Sequence, residues 1–201
     1  MTHPKHAEPN HPVHDLITRR WSPYAFADRG VSREDLRSLF EAARWAASSY
    51  NEQPWSYLVA RREDTDAFER LLSCLVEGNQ EWAKHVPVLA IGCISLKFSR
   101  NGQTNAAAEH DLGLASANLT FEATSRGLVV HQMIGIFPGR VRSLYGLPDD
   151  VEAKTGLAIG YAAPVESVPD ELRDRDLKPR QRKSLQEFVF GDKWGESHDL
   201  A

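Results

Sequence analysis

Residues 106–127 read AAAEHDLGLASANLTFEATSRG, and what must cover this stretch decides the fold. From Thr104 to Arg126 small or apolar residues fall on nearly every face of a helix, and Gly127 supplies a C-terminal stop. A helix apolar all round has to be covered on all sides. That is hard to arrange inside one chain of 201 residues, so the pattern predicts a long helix buried at a subunit interface.

Strands and shorter helices are expected on either side. VPVLAIGCIS, Val86 to Ser95, is apolar on both faces and reads as a central strand. WSYLVARR, Trp55 to Arg62, has the aromatic and β-branched content of another, and Leu128–Gln132 and Thr155–Tyr161 read as two more around a short helix near Arg140–Tyr145. Ser32 is placed to cap a helix whose Leu36, Leu39, Phe40 and Ala43 share one face. Phe68, Leu71, Leu72 and Leu75 mark the buried side of a helix after the first strand. The result is α+β or mixed α/β. Past Pro164 the run VESVPDELRDRDLKPRQRKS is charged and reads as an arm, before LQEFVF at Leu185–Phe190 restores a strand pattern able to reach another subunit.

Residues 1–12, with His3, His6, His11 and three prolines, are expected to form a flexible N-terminal arm, leaving 13–201 as a single folded domain. Lys+Arg total 24 against 28 Asp+Glu, a net charge of -4, so no positive field points to nucleic acid. No apolar run approaches a membrane span, and no apolar signal core follows the N-terminus. The expected setting is the cytoplasm, with no membrane partner. Cys74 and Cys93 lack metal or redox spacing, and no metal site is expected.

No Rossmann glycine motif, P-loop, nucleophile elbow or H-E-x-x-H is present. Glu109-His110-Asp111 cannot converge on one ion, because consecutive helical residues point about 100° apart. Three polar clusters remain. Thr18-Arg19-Arg20-Trp21-Ser22-Pro23 places guanidinium groups beside a hydroxyl and suits a phosphate monoester, although it also reads as a solvated basic turn. Ala47–Trp55, ASSYNEQPW, is a loop dense in small hydrogen-bonding side chains that also fits a long helix cap. Arg180-Gln181-Arg182-Lys183 is a late basic group that by charge alone is solvated surface.

The order and content of these clusters resemble the FMN-dependent nitroreductase family. The resemblance runs from about Asp15 to Trp194 and rests on RRWSPYAF (Arg19–Phe26), ASSYNEQPWSYLV (Ala47–Val59), GNQEWAKHVPVLAIG (Gly78–Gly92), the Gly127–Gly135 segment, LAIGY (Leu157–Tyr161) and RQRKSLQEFVF from Arg180. It implies a nitroreductase-like α+β fold with a central mixed sheet flanked by helices. It also implies a domain-swapped homodimer with FMN at the interface and a C-terminal segment wrapping the partner. Arg20 and Ser22, with Arg19 and Trp21 beside them, match the early phosphate and ribityl contacts. Arg182, with Arg180 or Lys183, matches the late basic contact. Ser48, Ser49 and Asn51, with Gln53 nearby, match the loop reaching the cofactor from the other subunit. Asn79 matches the polar residue at the pyrimidine edge, and the Gln132-Met133-Ile134-Gly135 main chain matches the approach to the ring, with the Ile134 amide facing N5.

Tyr24, Ala47 and Trp21 depart from that pattern. Tyr24 stands where many members carry a cation, which implies a less stabilised anionic reduced flavin. The implied activity is ping-pong hydride transfer from NADH or NADPH to a nitroaromatic, quinone or related small electron-poor acceptor, with no catalytic side chain required. The alternatives are a reductase specialised for a semialdehyde, enal or halogenated phenol, or a non-enzymatic flavin-binding protein. Ser95–Asn105 and Val165–Lys178 are the candidate substrate loops.

Overall fold

A computed structural model describes residues 3–200. Helix α1 (Asp15–Arg19) precedes α2 (Arg33–Arg44), which Ser32 caps by accepting the Asp35 N–H at 2.9 Å. Strand β1 (Trp55–Arg61), helices α3 (Thr65–Leu72) and α4 (Glu77–Ala83), and strand β2 (Val88–Ser95) follow. The long helix α5 (Ala108–Ser125) leads to β3 (Val129–Met133), α6 (Pro138–Tyr145), β4 (Val151–Gly160) and α7 (Asp170–Leu177).

The sheet order is β1-β2-β4-β3, and every neighbouring pair is antiparallel. The α+β class is as expected, but the expected mixed pairing is not formed within the chain. β2 and β3 do run the same way, with α5 as the crossover between them. β4 inserts between the two, so no parallel neighbours result.

β2 alternates strictly between two cores. Leu89, Ile91 and Cys93 face α3, α4 and α6 together with Phe68, Leu71, Trp82 and Val141. Val88 and Ala90 face α2 and α5 together with Leu39, Ala115 and Leu119. Gly92 allows close packing at the centre, since a Cβ there would lie 3.0 Å from Thr155 Cγ2 and 3.1 Å from Leu112 Cδ1.

Helix α5 starts later than Thr104, because the Asn105 side chain accepts the Ala107 N–H at 3.1 Å and turns the chain before the helix begins. Ala108, Leu112, Ala115, Leu119 and Ala123 are buried against the sheet and α2. Along the other face Leu114, Ala117 and Phe121 are only half-buried, and His110 and Gly113 are exposed. One chain therefore covers one side of the all-round apolar helix.

Two segments depart from expectation. The charged arm contains a helix, α7, anchored by Val168, Leu172 and Leu177 against Ala25 and Ala163. LQEFVF is not a strand: Leu185–Glu187 is a single 3₁₀ turn capped by Ser184, and Phe190 bridges only Ser197. Among the described residues no sheet edge lies beside it to complete a ladder, and Phe188 is left exposed. In the N-terminal arm His3 stacks on Trp21 with ring centroids 4.5 Å apart, and the Ala7 N–H donates to the Thr18 carbonyl at 2.9 Å.

Candidate functional site

Between Thr18 and Ala27 the main chain is held by residues distant in sequence. Arg180 donates from Nη1 to the Arg20 carbonyl and from Nη2 to the Thr18 carbonyl. His131 Nδ1 lies 2.7 Å from the Pro23 carbonyl. The Tyr24 N–H donates to Asp176 Oδ1 at 2.9 Å and the Ala25 N–H to Asp176 Oδ2 at 2.7 Å. Beyond these, the Ala163 N–H reaches the Ala25 carbonyl at 3.0 Å and the Ala27 N–H reaches the Tyr161 carbonyl at 2.8 Å. With the backbone secured this way, the side chains of Arg20 and Ser22 touch each other, Nη1 to Oγ at 3.3 Å, and are otherwise available to a ligand.

Arg20, Arg180 and Arg182 form one cationic group. Burial holds Arg20 below the usual guanidinium range, and the charge of Arg182 lowers it further. Burial does the same to Arg180, reinforced by Arg20 and Arg182. The partners of the three are main-chain carbonyls and one hydroxyl, and Arg180 Nε is buried with no partner. Guanidinium groups stay protonated under such strain, so a group of this kind suits a multiply charged oxyanion with several acceptor oxygens. Two expected members sit apart. Arg19 is paired with Asp15 at 2.5 Å, and Trp21 is 7% exposed beneath His3. Lys183 lies exposed next to Arg182.

A second group adjoins the first through Tyr24. The Tyr24 ring meets Trp82 at 5.2 Å and His131 at 4.6 Å, both edge-on, while Trp82 and His131 lie 4.7 Å apart. Burial lowers the His131 pKa, with the Pro23 carbonyl and Asp176 opposing it. The guanidinium of Arg175 lies 4.8 Å over the Tyr24 ring. Beside these rings a cavity of about 740 Å³ is bounded by Tyr24, Gly78, Trp82 and Arg175.

Asn79 stands one turn before Trp82 on α4 and donates from Nδ2 to the Gly135 carbonyl at 3.0 Å. A Cβ on Gly135 would come within 2.5 Å of that nitrogen, so only glycine lets the two approach. Thr155 Oγ1 donates to the Met133 carbonyl at 3.1 Å, and the Ile136 N–H closes on the Ile134 carbonyl at 2.9 Å. Met133, Ile134 and Gly135 therefore form a fixed crest of main chain, with the Ile134 side chain 88% exposed.

The Ser48–Gln53 loop is anchored elsewhere. The Ser49 N–H donates to the buried Asp111 on α5 at 3.1 Å, the Gln53 N–H to Ser48 Oγ at 3.0 Å, and Glu52 accepts the Ser99 N–H at 2.7 Å. Tyr50, Asn51 and Gln53 all have left-handed backbones, with φ of 54°, 56° and 51°. Among the described residues no hydrogen bond or ion pair joins this loop to Arg20, Asn79 or Ile134. One chain thus assembles the arginine group, the ring group and the main-chain crest, but not the serine loop. Asp176, Arg175 and His131 were not foreseen. The two α7 residues lie in a run of alternating charges that gives no sign of which members are buried.

A model of the Nitroreductase family matches residues 17–161. A crystal structure of an oxidoreductase containing FMN superposes with a TM-score of 0.88 at 30% identity, covering 98% of this chain and all of the other. The major NAD(P)H-flavin oxidoreductase of Aliivibrio fischeri is 25% identical over 94% of this chain and 99% of its own length. A 15.4 kDa protein of unassigned activity from Mycolicibacterium smegmatis is 32% identical over 65% of this chain and 86% of its own.

Proposed function

The chain belongs to the nitroreductase family, and from that premise we propose that it is an FMN-dependent NAD(P)H oxidoreductase acting on nitroaromatic, quinone or related small electron-poor acceptors. The observation that carries this reading is the Arg20–Arg180–Arg182 group, whose partners are all uncharged and whose Arg180 Nε is buried without an acceptor. A flavin phosphate carries close to two negative charges and three acceptor oxygens, which matches forked donors of this kind.

The residues present fit the cofactor at three points. Arg20, Arg180, Arg182 and Ser22 would hold the phosphate. Asn79 would meet the polar edge of the ring, oriented by its bond to Gly135. The crest at Met133–Gly135 would offer its amides to the other edge, which needs no particular side chain. The chemistry FMN supplies when bound is reversible two-electron storage, so kinetics between NADH or NADPH and the acceptor are expected to be ping-pong. No side chain is assigned a proton-transfer role.

The Ser48, Ser49, Asn51 and Gln53 contacts are proposed to come from a second copy. The half-covered Leu114–Ala117–Phe121 face of α5 would form the seam, and the exposed Phe188 and Leu185 would reach the partner. Residues 13–201 would be the folded unit of this cytoplasmic homodimer. No helix among the described residues is long and apolar enough to cross a membrane.

Protein purified without added cofactor is expected to show flavin absorption bands. Heating should release FMN and not FAD, and NADH or NADPH should bleach the bands until a quinone restores them. Colourless protein that takes up no added FMN would overturn the reading.

A further inference from the structure

We propose that Asp176 is a positioning residue that joins the two halves of the phosphate site. This rests on the reading of Arg20, Arg180 and Arg182 as that site. Asp176 is on the last turn of α7 and has 0% exposure. A buried carboxylate persists only where donors satisfy it. Its donors are two consecutive main-chain N–H groups: Tyr24 at 2.9 Å to Oδ1 and 3.1 Å to Oδ2, and Ala25 at 2.7 Å to Oδ2.

These contacts set the distance between two stretches far apart in sequence. Tyr24 and Ala25 follow Ser22 and Arg20 directly. Four residues beyond Asp176, Arg180 grips the carbonyls of Arg20 and Thr18. The early and late arginines thus meet because the C-terminal end of α7 is pinned by the Asp176 carboxylate and the chain just beyond it by Arg180. The arm is otherwise thinly anchored, through Val168, Leu172 and Leu177 on Ala25 and Ala163. Without the carboxylate, Arg180 and Arg182 would no longer be held over Arg20 and Ser22, and phosphate recognition would suffer more than ring recognition.

The test compares FMN with riboflavin, which has the same ring and no phosphate. Fluorescence titration of flavin-stripped full-length protein gives the ratio of the two dissociation constants. Asp176→Ala is expected to shrink the wild-type preference for FMN about tenfold or more, the scale of a lost charge-assisted bond. Asp176→Asn keeps the volume and one acceptor oxygen and is expected to recover part of that preference. Asp174→Ala removes an acid from the same helix, ion-paired with Lys178 on the surface, and is expected to leave the ratio unchanged. General loosening of the fold would weaken both flavins together. Should Asp176→Ala fail to fold, the Asp176→Asn ratio decides alone, and a value equal to wild type overturns the proposal. If the wild-type protein does not prefer FMN over riboflavin, the phosphate site itself is refuted, an outcome separable from an unchanged ratio in the variants.

Discussion

The Thr18–Ala27 segment and the Ser48–Gln53 loop are both rich in polar side chains, yet they are built on opposite principles. In the first, distant residues from β3, from the chain beyond β4 and from α7 hold the backbone, no left-handed residue occurs, and the side chains are left over. In the second, the loop holds itself through Ser48 and Gln53, leans on Asp111 and Ser99, and keeps three non-glycine residues in the left-handed region. The first segment leaves its donors free for a ligand. The loop is a shape imposed on the chain at some cost, and among the described residues no hydrogen bond joins it to the arginine group or the crest.

The largest break in that comparison is expected inside the Thr18–Ala27 segment. Arg20→Ala removes a partly buried cation whose hydrogen-bonding capacity is otherwise idle, and should weaken FMN binding roughly thirty- to hundredfold, from the ~2–3 kcal/mol of a charged hydrogen bond. Arg19→Ala, one residue earlier, removes a cation already paired with Asp15 on an exposed helix. It should change binding less than about threefold, in line with the ~0.3–0.5 kcal/mol of such pairs. Equal losses in the two variants, measured by flavin titration, would mean that this segment acts through bulk charge and not through placed donors.

The sequence made this difference only half visible. Buried runs such as Val88–Ile94 announce strands because both faces meet helices, and Ser32 with the Leu36–Ala43 stripe announces α2. The R-R-x-S cluster by itself reads equally as a solvated basic turn, and it is singled out only by its order with the later clusters, through the family resemblance. Helix α7 is not legible, because DELRDRDL offers only Leu172 and Leu177, too few for a stripe; it is held by those two against Ala25 and Ala163 and by one acid meeting two N–H groups of another segment, and nothing local encodes that. LQEFVF shows the converse. Its aromatic and β-branched content is genuine, but a strand also needs an edge, and the described residues of its own chain provide none. The mixed sheet failed for a topological reason, since β4 takes the place that would have made β2 and β3 neighbours.

A smaller effect sharpens the contrast through glycine. At Gly135 the missing Cβ is a requirement of the site, because that atom would sit 2.5 Å from Asn79 Nδ2 and 2.9 Å from Val76 Cγ2. Gly135→Ala should destabilise the protein by about 1–3 kcal/mol through overpacking, seen as a lowered Tm. Loss of the Asn79–Gly135 bond should also raise the Kd for FMN. An unchanged Tm would show that α4 yields freely and that the close approach is not a constraint.

The smallest effect should run the other way. Gln53 is exposed, has φ of 51° and precedes Pro54, a combination that disfavours this backbone for any residue with a side chain. Gln53→Gly releases about 1–2 kcal/mol of left-handed strain. It also returns roughly 0.5–1 kcal/mol to the unfolded chain as entropy and gives up the exposed Nε2 bond to the Asn51 carbonyl. The balance favours the variant by about 0.5 kcal/mol, a rise in Tm of about 1–2 °C for a chain of this size. If the strain serves the partner's cofactor, the same variant should bind FMN a few-fold more weakly while melting higher, because a relaxed loop presents Ser48, Ser49 and Asn51 less often in the required shape. A fall in Tm would instead assign the loop's conformation to the Gln53 side chain, and the left-handed residues would then be the loop's own stable turn and not a conformation held for another subunit.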